Sequence, residues 1–150
     1  MNPPTLKARL AAMSPAERRE TLDGLDLDRR NALASGWYVR ARPSQIAPEG
    51  DWHTWLVMAG RGFGKTRTGA EWAHRAARNG RARIAIVGAT LHEARGVMVE
   101  GESGLLRTRT ANLRPRFEPS LRRLTWPSGA RGFLYSADDP ESLRGAQHSH

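Results

Sequence analysis

The segment AGRGFGKT, Ala59 to Thr66, constrains this chain more than any other. It sets three glycines and a Gly-Lys-Thr ending between an apolar run, Trp55 to Ala59, and a helical pattern from Lys65 to Asn79. Glycine accepts positive φ and lets backbone N–H groups come close to a ligand. A helix that starts directly after such a turn aims its partial positive end into it. Apolar strand, glycine-rich turn, Lys-Thr and helix together form the pattern of a P-loop, the cradle for the phosphates of a nucleoside triphosphate. The strict pattern opens with glycine where this chain has Ala59, and Gly60, Gly62 and Gly64 supply the backbone freedom.

In that cradle Lys65 is expected to contact the β- and γ-phosphates of ATP, and Thr66 to ligate Mg²⁺. Lys65 stands out further because Lys7 is the only other lysine, against 22 arginines. A compact ammonium fits between phosphate oxygens where a planar guanidinium does not. Arg61, inside the turn, has two readings: a bystander on the outer surface of the loop, or a cis arginine finger that stabilises charge during phosphoryl transfer.

The run Trp55 to Ala59 has the length of a strand buried on both faces of a parallel sheet, and Arg83 to Val87 reads as a second such strand. With the helix between them, closed by Gly80 and carrying Ala70, Ala73, Ala76 and Ala77 as a small-residue face beside Trp72, they make one βαβ unit. Leu91 to Val99 reads as a helix weakened by Gly96. Leu121 to Trp126 and Arg131 to Tyr135 read as a hairpin around Pro127 to Ala130. The closing stretch SADDPESLRGAQHSH has loop character.

The first forty residues read as a short helical arm. Ser14, Pro15 and Glu17 form a capping-box start for a helix to about Leu22, ending near Gly24. A second helix would start at Asp26 or Asp28 and run to Ala34, stopped by Gly36. Met13, Leu22, Leu25, Leu27, Leu33 and Trp37 would supply one shallow apolar face, suited to packing on a larger domain or to docking a partner. The expected organisation is thus an arm over 1–40 and an α/β P-loop NTPase domain of the RecA/ASCE kind over 41–150, with a parallel sheet that is incomplete.

The chain carries a net charge of +9, with eight basic and six acidic residues in 1–50 and sixteen and nine in 51–150. A polyanion is therefore the favoured partner, and the second part the side that meets it. Arg107, Arg109, Arg114, Arg116, Arg122 and Arg123 form a basic region that either contacts phosphate backbones or is a solvated face. Without cysteine there is neither disulfide nor thiolate metal site. His53, His74, His92, His148 and His150 are too scattered for a metal constellation. No apolar run approaches the roughly 18 residues of a membrane span, so the expected setting is the cytoplasm.

A hydrolytic P-loop enzyme also needs a carboxylate at the end of a second core strand. Asp138 and Asp139 follow Phe133, Leu134 and Tyr135, but Ser136 and Ala137 break the run and Pro140 follows, which favours a turn. Glu71, Glu93, Glu100 and Glu102 read as helix-surface residues.

The stretches RPSQIAPEGDWHTWLVMAGRGFGKTRTGAEWA and LYSADDPESLRGAQHSH resemble the start of the ATPase domain of large terminase subunits, the DNA-packaging motors of tailed phages and gene transfer agents. The resemblance covers about residues 37–150, and GRGFGKTRTGAEW is its most specific part. It implies that Gln45 recognises adenine and that Gly60, Arg61, Gly62, Phe63, Gly64, Lys65 and Thr66 bind phosphates. It further implies double-stranded DNA, a small terminase subunit, a capsid portal and a homo-oligomeric ring as partners, in a bacterial host cell. In the family an Asp-Glu strand, a coupling motif and a nuclease domain follow a segment like 134–150. The expectation is therefore an N-terminal piece of such an ATPase, with weak or absent nucleotide binding and negligible turnover by itself. Two rivals stand beside it: a small complete P-loop kinase or helicase-like protein using Asp138 or Asp139, and a basic DNA-binding or terminase-docking remnant.

Overall fold

The computed structural model describes residues 6–24, 36–48, 50–145 and 147–150. The chain divides into two units, Met1–Met58 and Ala59–His150. In the first, helix α1 (Leu6–Ala12) is followed by α2 (Pro15–Asp23). The capping box forms as the spacing predicts: Glu17 N–H donates to Ser14 Oγ at 3.3 Å, and Ser14 N–H donates to the Glu17 carboxylate at 2.9 Å. The last carbonyls of a helix lack intrahelical donors. Here Arg18 supplies them, its Nε donating to Leu10 O at 2.8 Å and its Nη2 to Met13 O at 3.2 Å. The helix expected over 26–34 lies outside the described residues. A short helix α3 (Trp37–Arg40) and a 3₁₀ turn (Pro43–Gln45) follow.

The second unit is α/β. Helix α4 spans Lys65–Ala76 and strand β1 spans Arg83–Gly88. Next come one helical turn, α5 (Leu91–Glu93), and a π-helix (Ala94–Val99), then strands β2 (Arg116–Glu118), β3 (Arg123–Thr125) and β4 (Arg131–Ser136). Among the described residues the sheet has four strands in the order β1-β4-β3-β2; β1 and β4 run parallel, and β2–β3 and β3–β4 antiparallel. The expected parallel sheet is therefore a mixed one, because the antiparallel run β2–β3–β4 supplies three of its four strands.

Two further differences have physical causes. Residues 55–59 form no strand, and Leu56 and Met58 are 74% and 84% exposed. An apolar run becomes a buried strand only where strands flank it. The edge of β1 is already in use: Ser149 N–H donates to Arg83 O at 2.8 Å and Ala85 N–H to His150 O at 2.9 Å. Helix α4 ends at Ala76, with Ala77 as its C-cap, so Gly80 is not the terminator. Gly80 is required instead because any Cβ there would collide with the Ser128 carbonyl of the β3–β4 turn.

Alternation along the strands gives the sheet one buried face. Ile84, Ile86, Leu124 and Leu134 point inward, joined by Trp126, Val99 and Leu105, and the small-residue face of α4 (Ala70, Ala73, Ala77) packs in the same core. Gly132 lies beneath the indole of Trp126, where an added Cβ would meet ring carbons at 3.0–3.1 Å. Gly88 likewise admits Ala94, whose backbone nitrogen would stand 2.8 Å from a Cβ. Leu124 is 0% exposed and Leu121 57% exposed. Leu124→Ala should therefore cost about 3 kcal/mol in urea unfolding with an unchanged slope, and Leu121→Ala less than about 0.5 kcal/mol.

Candidate functional site

The glycine-rich turn stands directly at the head of α4. Gly62 (φ 76°) and Gly64 (φ 90°) both occupy the left-handed region, and Gly64 is the N-cap of the helix. Only glycine takes those angles at no steric cost. The N–H groups of the first helical turn have no intrahelical acceptor, and in α4 they face the turn. Lys65 folds back over it, its Nζ donating to Ala59 O at 2.7 Å and to Gly60 O at 2.9 Å. The ammonium thus closes the loop on itself, held by two carbonyl dipoles. Arg61 is exposed on the loop, and Thr66 is half-buried.

Gln45 belongs to the other unit. It is buried, and its Oε1 accepts the Arg42 N–H at 3.0 Å, which closes the 3₁₀ turn. Asp138 and Asp139 are exposed in the turn after β4; Asp138 N–H donates to Ser136 Oγ at 3.2 Å. Among the described residues no group of three or more His, Cys, Asp or Glu is placed to hold a metal. An apolar recess of about 210 Å³, lined by Thr66, Ala70, Trp72, Ile86, Val87 and Met98, lies between α4 and β1. Its size is below the usual range for small-molecule pockets, from about 300 Å³ upward.

Beneath the loop, α4 carries buried polar residues, one of which, Glu71, sequence reading placed on the surface. Glu71 is buried at 4% exposure, a correction with a clear cause: it shares the inward stripe of Ala70, Ala73 and His74. Arg67 Nε donates to Glu71 Oε1 at 2.8 Å, and Arg109 Nη1 stands 2.6 Å from Oε2 without an aligned hydrogen bond. Two guanidiniums therefore compensate one buried carboxylate. One turn further on, His74 Nδ1 accepts the indole N–H of Trp126 at 2.9 Å. Indole nitrogen can only donate, so the imidazole proton sits on Nε2 and is donated to Thr108 Oγ1 at 2.9 Å. The Arg67–Glu71 spacing and the 3.6-residue stripe were available signals; Arg109, Thr108 and Trp126 gave none.

These contacts hold His74 neutral. Burial, followed by the nearby Arg109, depresses its pKa to about 3.

A family model described as terminase large subunit, T4likevirus-type, N-terminal matches residues 56–150, more than half of the chain. The chain belongs to the terminase large subunit family. Comparison with curated proteins and with solved structures gave no match. The match contains the terminase loop Gly60–Thr66, helix α4 and the whole sheet, while Gln45 and the N-terminal helices precede it. No helix among the described residues of this terminase chain is long and apolar enough to cross a membrane.

The state of His74 makes stability depend on pH. Its native pKa lies below the unfolded value of about 6.5, so the unfolded chain binds the extra proton and stability falls as pH drops below about 6.5. Between pH 7 and pH 5 this contributes a loss of about 2 kcal/mol. His74→Gln, whose amide can accept from Trp126 and donate to Thr108, should remove that part of the slope in urea titrations at the two pH values. His148 is depressed in the same direction by partial burial and Arg83, and its share should remain in the variant.

Proposed function

We propose that the unit Ala59–His150 is the phosphate-binding part of a P-loop ATPase domain, and that it serves the motor that packages double-stranded DNA into a capsid. The observation that carries this reading is the turn itself, two left-handed glycines at the head of α4 with the Lys65 ammonium gathered onto the loop carbonyls. A flexible ammonium that collects carbonyl oxygens can exchange them for phosphate oxygens, which are stronger acceptors. Helix α4 adds its positive end to the same point. Thr66, next in sequence, would offer its hydroxyl to Mg²⁺, which supplies neutralisation of phosphate charge.

In this reading Lys65 binds and orients the terminal phosphates, Gly60, Gly62 and Gly64 let the backbone reach them, and Phe63 and Arg61 complete the loop. Arg61, exposed on the loop, is free to meet either phosphate or a neighbouring subunit of a ring. Gln45 is assigned to adenine recognition from the family resemblance. A small terminase subunit and a capsid portal are the partners this reading implies, in the cytoplasm of a bacterial host.

Affinity should be low, because residues 55–59, which lead into the loop, form no strand and so do not anchor the loop in the sheet. Turnover should be negligible, since Asp138 and Asp139 sit in an exposed turn and, among the described residues, the one carboxylate at a strand end, Glu118 of β2, is paired with Arg123. Equilibrium titration of the full chain with a fluorescent ATP analogue and millimolar Mg²⁺ tests the reading. Loss of the charged contacts in Lys65→Ala should weaken binding by about 10- to 100-fold, and Thr66→Ala should remove mainly the Mg²⁺-dependent part. Equal affinity of wild type and Lys65→Ala would exclude the loop as the phosphate site.

A further inference from the structure

The strand register gathers arginines that lie far apart in sequence. Arg116 of β2 pairs with Thr125 of β3, Thr125 with Arg131 of β4, and Arg131 with Arg83 of β1. One transverse row across the sheet therefore reads Arg116, Thr125, Arg131, Arg83. All four belong to the face opposite Ile84, Leu124 and Gly132, and the three arginines are exposed. Strands stand about 4.8 Å apart, so the row is about 14 Å long.

Like charges directly opposite each other on paired strands are destabilising, yet Arg131 faces Arg83 with no acid between them. Among the described residues no carboxylate lies within ion-pair distance of Arg83, Arg116 or Arg131. The neighbouring row is different: there Arg123 is neutralised by Glu118, Nε to Oε1 at 3.0 Å. Arg83 is also held in place. Its Nε donates to Gln147 O at 2.8 Å and its guanidinium lies 5.0 Å from the centre of the Phe133 ring, while the residue as a whole stays exposed.

We propose that this row, Arg116, Arg131 and Arg83 with Thr125 between them, is a contact surface for the phosphate backbone of duplex DNA. Charge complementarity selects the occupant. B-DNA carries one phosphate per strand for about every 3.4 Å of helix axis, so a row laid along the axis spans about four base-pair steps. Guanidinium forks bind phosphate oxygens in pairs, and the Thr125 hydroxyl can donate to one between them. The row offers groups that suit phosphate oxygens, so it holds DNA without regard to sequence. The choice of duplex DNA rests on the packaging function proposed above; the row itself does not.

The test is fluorescence anisotropy of a labelled duplex with the full chain between about 50 and 200 mM salt, the range over which phosphate contacts lose affinity steeply. The combined variant Arg83→Ala, Arg116→Ala and Arg131→Ala should lose about tenfold in affinity per arginine at the low end, with the log–log salt slope shallower by about 0.9 per arginine. The matched lysine variant should keep most of the slope, which separates charge from folding. Arg9→Ala, Arg19→Ala and Arg78→Ala, exposed and equal in charge, should change the slope much less. An equal loss in that control would overturn the proposal in favour of diffuse net charge. No binding of the duplex by wild type at 50 mM salt, or binding of an acidic peptide in its place, would overturn it as well. Lys65→Ala should leave DNA binding intact and the triple arginine variant should leave ATP-analogue binding intact, so failure of either function is read separately.

Discussion

One-sided burial is the constraint on which the Ala59–His150 unit depends. The alternating residues of β1, β3 and β4 present a single apolar face, and α4 covers it with a stripe of alanines rather than large side chains. Those alanines and the buried contacts of Glu71 and His74 hold the helix against the core, with the apolar recess left beside Ile84 and Ile86. That fixes where its first turn points, and hence where the glycine-rich loop stands. The opposite face of the same sheet is left to residues that need no core, which is why arginines can accumulate there.

The polar part of the α4 stripe sharpens this placement. Apolar contact tolerates small shifts, whereas Glu71 between Arg67 and Arg109, and His74 between Trp126 and Thr108, tolerate almost none. Displacing α4 by one residue would strand a buried carboxylate and an imidazole without partners, each at a cost of about 1–3 kcal/mol or more. The network thus fixes the helix along its axis and ties the loop-bearing helix to the 105–109 segment and to the β3–β4 hairpin. A family-level match over 56–150 is consistent with a unit whose parts are coupled in this way.

Much of this was legible in the residues alone. The Ser14–Glu17 capping box, α4, β1 and the hairpin around Pro127–Ala130 follow from local chemistry, and so does the loop at Gly60–Thr66. Residues 55–59 misled because hydrophobicity reports a tendency to be buried, while a strand also needs a neighbour, and that is decided elsewhere in the chain. Glu71 misled because a charge on a helix suggests solvent; Arg67 one turn away was visible, but Arg109, 38 positions away, which completes the compensation, was not. The arginine row was invisible because the parallel pairing of β1 with β4 joins segments that local pattern cannot relate.

The central claim, that the head of α4 is where nucleotide phosphates bind, is tested most directly by amide hydrogen exchange of the full chain with and without millimolar MgATP. Exchange should slow in the peptide covering 60–67 and stay unchanged over 116–136, where β2, β3 and β4 lie. Unchanged exchange over 60–67 with protection appearing elsewhere, or the same protection in Lys65→Ala, would contradict the account.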